Sequence, residues 1–102
     1  MIGEIQSGRA HRGPLTLDCD VVVIGSGAGG ATVATELALA GKRVVVLEEG
    51  KHIPAEVHGA MRQSESLRNV WRENGMTVAF GLAGAPTVNV TMGRVIGGAL
   101  RC

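Results

Sequence analysis

Aromatic residues are nearly missing from this chain: one Trp, one Phe and no Tyr stand among its 102 residues. Aromatic rings supply much of the buried area of small domains, so a self-sufficient core is hard to build from this composition. Cysteine is equally scarce. Cys19 and Cys102 lie far apart and form no framework of bridges, so they read as two unrelated reduced thiols. There is no excess of charge either: the net charge is +1 and no basic run occurs, which excludes the electrostatic footprint of a nucleic-acid partner. No apolar run nears the roughly 20 residues that a bilayer span requires. The opening MIGEIQSGRAHRGPLTL holds neither the apolar stretch of a secretory signal nor a small-residue cleavage site, so a cytoplasmic protein is expected.

What the chain has in plenty is glycine. Its 16 glycines are more than double the average usage of about 7%. They come in pairs and triads between apolar runs, a pattern suited to tight turns and to backbone laid close against a ligand. With 45% hydrophobic and 19% charged residues the composition is that of one small globular domain. Residues 1–17 read as an irregular lead-in, broken by Gly8, Gly13 and Pro14. DVVVIG, residues 20–25, is a β-branched run of the kind found in strands buried on both faces of a parallel sheet. GGATVATELALAG then shifts to helical spacing, with Gly30, Ala34 and Ala38 on one face and Val33 and Leu37 beside them. Gly41 is placed to end that helix. RVVVLEE, residues 43–49, is a second strand, so residues 20–50 form a βαβ unit.

Beyond it the pattern weakens. HIPAEVHGA reads as a loop broken at Pro54. MRQSESLRNVWRENG predicts an amphipathic helix with Met61, Leu67, Val70 and Trp71 inward and Gly75 as its stop. MTVAFGLAGAP and TVNVTMG read as short extended pieces. The fold expected is α/β: a partial Rossmann-like dinucleotide-binding domain over residues 18–102, with a second glycine motif at 93–98.

The chemistry lies in the glycines. Gly25, Gly27 and Gly30 spell G-x-G-x-x-G, following one strand and opening one helix. The first glycine turns the chain out of the strand, the second admits a pyrophosphate, and the third lets helix and strand pack closely. The loop Gly25, Ser26, Gly27, Ala28, Gly29 and Gly30 would offer backbone N–H groups at the positive end of the helix. Ser26 reads as such a donor and not as a nucleophile, since no base motif accompanies it. Glu48 ends the second strand eighteen residues past Gly30, where a carboxylate accepts bonds from the adenosine ribose. With Glu49 beside it, this end of the site disfavours a 2′-phosphate, which calls for a nearby Arg. NAD and FAD both remain open on spacing alone, and NADP does not.

DVVVIGSGAGGATVATELALAGKRVVVLEEG resembles the opening of FAD-dependent oxidoreductases. The later TMGRVIGGA, with WRENGMTVAFG before it, is similar to the N-terminal part of the glucose–methanol–choline (GMC) oxidoreductases, over about residues 20–99. The resemblance implies FAD as the cofactor, with the pyrophosphate on Gly25, Gly27 and Gly30 and the ribose on Glu48. It also implies that Gly93, Arg94, Gly97 and Gly98 lie along the flavin side. In the family, hydride leaves an alcohol carbon for the flavin, and a His several hundred residues further on takes the hydroxyl proton. No catalytic residue therefore carries over to this sequence, and the chain by itself is not expected to be active. The sequence also departs from the family after the glycine pair, where Ala99-Leu100-Arg101-Cys102 replaces small polar residues and an Asn. A non-catalytic module binding FAD or NAD, or part of another FAD-dependent family, stays open beside this reading.

Other residues carry less. His11, His52 and His58 have no recognised ligand spacing and read as three exposed histidines. Asn89-Val90-Thr91 is a glycosylation sequon by chance. Trp71 reads as core, and Lys42 and Arg43 as solvated charges at the start of a strand.

Overall fold

The structure is a computed structural model that describes residues 3–98. Residues 99–102, with Cys102 and the departure from the family pattern, lie outside the described residues. The βαβ unit forms as the hydrophobic pattern predicts. Strand β1 (Val21–Ile24) and strand β2 (Val44–Leu47) pair in parallel, Val21 opposite Val44 and Ile24 opposite Leu47. Helix α1 (Ala28–Leu39) crosses between them. It ends as expected at Gly41, which has a φ of 82°. The Gly41 N–H donates to the Ala38 carbonyl and the Lys42 N–H to the Leu37 carbonyl, the paired bonds of a Schellman cap. At the strand starts, the Arg43 N–H and guanidinium both donate to the Asp20 carboxylate. Arg43 is thus an ion-paired strand clip.

The small-residue stripe on α1 does what its spacing suggests. Gly30, Ala34 and Ala38 are half-buried. A Cβ at Gly30 would fall on the Gly25 carbonyl oxygen and press on Val23. No side chain fits there, so the helix sits directly on the β1 turn.

One expectation fails. The β-branched runs predict strands buried on both faces, yet Val22 is 51% and Ile24 86% exposed. Residues alternate between faces along a strand, so Val21 and Val23 turn to α1 while Val22, Ile24 and Leu47 turn away from it. β-branched composition reports strand propensity, and the single helix of this unit can cover only one face.

The second half is also more broken than its periodicity predicts. Helix α2 (Ala55–Ala60) occupies the expected loop, with Pro54 at its N-cap. Met61 and Arg62 are extended, and helix α3 runs only from Gln63 to Asn69. The Glu65 carboxylate accepts the Arg62 N–H at 2.9 Å and so starts α3. The single helix expected from residue 61 to 75 does not continue because Trp71 takes up strand geometry opposite Gly93. Beside that bridge the Arg72 N–H donates to the Met92 carbonyl at 2.8 Å and the Arg94 N–H to the Val70 carbonyl at 2.6 Å. A tight turn over Arg72–Gly75 follows, with Glu73, Asn74 and Gly75 in the left-handed region. Strands β3 (Val78–Ala79) and β4 (Val88–Asn89) form a short antiparallel hairpin.

Ile53, Val70 and Val95 are the buried core among the described residues, with Met61 and Trp71 packed against them. Trp71 is therefore core-lining as expected, though not on a helix. So small a core matches the radius of gyration, 16.5 Å, against about 13 Å for a compact domain of this length.

The contact at Gly30 yields a direct test. Gly30→Ala should force α1 from β1 and cost about 1–3 kcal/mol, seen as lost helical circular dichroism and lost amide protection in β1. Gly29→Ala, where a Cβ meets nothing, should hold or raise helicity.

Candidate dinucleotide site

The two glycine motifs, far apart in sequence, meet at the carboxyl ends of β1 and β2. Gly25 leaves β1 with a φ of 91°, and Gly27 is the N-cap of α1. No side chain caps that helix and no acidic residue stands in its first turn. The positive helix end is thus left open to an anion. A Cβ built on Gly27 meets no atom within 4 Å, so the loop borders free space.

Glu48 is turned onto this loop. Its Oε2 accepts the Ser26 N–H at 2.9 Å and the Ser26 hydroxyl at 2.7 Å, while Oε1 accepts the Gly50 N–H at 2.7 Å. Partial burial alone would raise the Glu48 carboxyl. The Ser26 hydroxyl, the two backbone N–H groups and the charge of Arg72 more than offset it and hold the group below the ordinary glutamate range. Glu49, also read as a site residue, turns its carboxylate instead to an ion pair with Arg72. A carboxylate has about four lone-pair positions, so the three bonds on Glu48 leave one acceptor position on Oε1.

The second motif closes against the first. The Gly97 N–H donates to the Ser26 hydroxyl at 3.0 Å, and a Cβ at Gly98 would lie 3.2 Å from the Gly27 Cα. Val95 anchors this segment: it is buried in the core and bridges Lys51 in parallel. A Cβ on Gly50 would overlap the Val95 backbone, so only glycine lets the chain after β2 run under the second motif. Gly93 pairs with Trp71, and the Arg94 side chain is exposed.

The set fits an adenine dinucleotide. It combines an uncapped helix end, open space at the second glycine, and an ionised carboxylate with one free acceptor position at the end of β2. Elsewhere, His11 and His52 are exposed, but His58, expected to be exposed, is half-buried at the end of α2. Among the described residues no group of three His, Cys, Asp or Glu could hold a metal ion. Nor is any helix among them long and apolar enough to cross a membrane.

Comparison with known proteins agrees with this geometry. The family described as "FAD binding domain" matches residues 20–79, more than half of the chain, and the chain belongs to that family. It is 40% identical over 94 residues to the uncharacterized GMC-type oxidoreductase y4nJ of Sinorhizobium fredii, covering 92% of this chain and 18% of that protein. It is 45% identical over 85 residues to the uncharacterized GMC-type oxidoreductase Rv0492c of Mycobacterium tuberculosis, covering 83% of this chain and 13% of the relative. Long-chain-alcohol oxidase FAO3 of Arabidopsis thaliana is 48% identical over 44 residues, 43% of this chain and 6% of the relative. The chain thus spans less than a fifth of the length of these relatives. No solved structure matches it. The α/β arrangement is a partial Rossmann-like unit, and FAD is the cofactor that the family supports.

Three participants escaped the sequence reading. Gly50 shows in the sequence only as a glycine directly after the paired acids, a place of close approach. Arg72 gave no signal, because its partner Glu49 lies 23 residues away across two helices. The glycine pattern predicts a backbone donor at Ser26, and its hydroxyl bonds both Glu48 and Gly97 as well.

The depressed Glu48 carboxyl sets a pH dependence. Its contribution to stability is fully present above the ordinary glutamate range and is lost as pH falls through the lowered value. Carbon-detected titration should place Glu48 below the ordinary glutamate range, and Ser26→Ala should move it back up. An unmoved Glu48 in that variant would show that the hydroxyl bond does not form.

Proposed function

We propose that this chain is the FAD-binding part of a GMC-type flavoprotein oxidoreductase acting on the CH–OH group of an alcohol. One observation carries the reading: the second glycine motif, the part of the sequence that resembles the GMC family, folds directly onto the first through Gly97 and Ser26. A G-x-G-x-x-G loop alone serves many dinucleotide enzymes. The relatives named GMC-type oxidoreductases and long-chain-alcohol oxidases support the alcohol class.

In this reading the backbone of Gly25, Ser26, Gly27, Ala28, Gly29 and Gly30 holds the pyrophosphate, and the helix end supplies the complementary field. Glu48 accepts a ribose hydroxyl through the open position on Oε1 and excludes a 2′-phosphate by charge. Gly93, Arg94, Gly97 and Gly98 border the flavin side, where backbone without side chains admits a flat ring. FAD, when bound, supplies the hydride acceptor for alcohol oxidation. No residue of this chain is assigned the removal of the hydroxyl proton, so turnover requires residues beyond it.

Titration with FAD and NAD, followed by flavin fluorescence and calorimetry, tests the reading. FAD should bind in preference to NAD. Gly27→Val should weaken FAD by about a hundredfold or more while leaving the fold intact, because the added side chain enters open space meant for phosphate. A preference for NAD, or unchanged affinity in the variant, would overturn it.

A further inference from the structure

We propose that Ser26 is a positioning residue of the cofactor site, whose hydroxyl couples the carboxylate of the first motif to the backbone of the second. The inference rests on the FAD reading above and assigns a task to a side chain that the glycine pattern leaves free to vary.

The directions of the bonds carry the argument. A carboxylate can only accept and a backbone N–H can only donate, whereas a hydroxyl has one proton and two lone pairs. Gly97 therefore donates to Ser26 Oγ at 3.0 Å, and the Ser26 proton is committed to Glu48 Oε2 at 2.7 Å. The result is a polarised row from amide through hydroxyl to carboxylate, in which each bond strengthens the next. The same Oε2 also takes the Ser26 N–H. Oε2 is thereby saturated, and the acceptor position still open belongs to Oε1. Ser26 thus decides which oxygen of Glu48 meets the ribose, and in the same stroke holds Gly97 at the loop. Alanine at 26 would keep both backbone donors to Glu48 but open a second acceptor position, on Oε2, and leave Gly97 without this acceptor. Glycine-loop geometry alone would make neither demand.

The test uses the full chain and FAD as the probe. Ser26→Ala should weaken FAD by about tenfold, the loss expected for a hydrogen bond to a charged group. Ser26→Thr, which keeps the hydroxyl, should recover most of it. In a Glu48→Ala background the same Ser26→Ala change should cost less, because only the bond to Gly97 then remains to be lost. In the unliganded chain, amide exchange at Gly97 should quicken about tenfold in Ser26→Ala while β1 amides stay protected. Additive losses in the double variant, or a Ser26→Ala chain that matches the wild type in FAD affinity and Gly97 exchange, would overturn the positioning role. If the wild-type chain takes up no FAD, the cofactor reading falls, and this proposal with it. Uptake by the wild type with an unmoved variant removes the Ser26 role alone.

Discussion

The packing of the Gly50 backbone under Val95 holds the rest in place. A side chain at 50 would overlap the Val95 backbone, and Val95 is itself fixed in the buried cluster with Ile53 and Val70. The segment after β2 is thereby trapped between the sheet and the second glycine motif. That trap presents the Gly50 N–H to Glu48 and brings Gly97 to Ser26. Three apolar side chains thus orient a polar site to which they contribute no polar atom. Close-packed interiors transmit position in this way, because a displacement at one residue leaves its neighbours no free volume to absorb it.

The first half of the fold was legible in the residues because its information is local. β-branched runs, a small-residue stripe at a spacing of four, and a glycine after the last helical turn each act over a few positions. The structure keeps all three, with Gly41 at the cap and Gly30 against Gly25. The second half depended on partners the local pattern does not contain. Nothing in MRQSESLRNVWRENG announces that Trp71 will pair with Gly93, and that pairing, not helix propensity, ends α3. The same holds for the site. The glycines and Glu48 could be placed from spacing. The use of the Ser26 hydroxyl and the pairing of Glu49 with Arg72 depend on contacts made only after folding.

The bare face of the β1–β2 pair belongs to the same account. A parallel pair is normally covered on both sides, yet here Val22, Ile24 and Leu47 remain exposed beyond the reach of α1. The relatives are several times longer than this chain, which leaves ample material in such proteins to cover that face.

The bond between Gly97 and Ser26 also has a meaning in time. It spans 71 residues, whereas the bonds from Ser26 to Glu48 span 22. Closing the longer loop costs about 1 kcal/mol more in chain entropy, and that cost is met only once Val95 has reached the core. The strand–helix–strand unit can therefore assemble first, with its phosphate loop half made. The bonding of Ser26 is completed only when the last quarter of the chain is in place, so the two glycine motifs join through the contact of longest sequence separation at this loop.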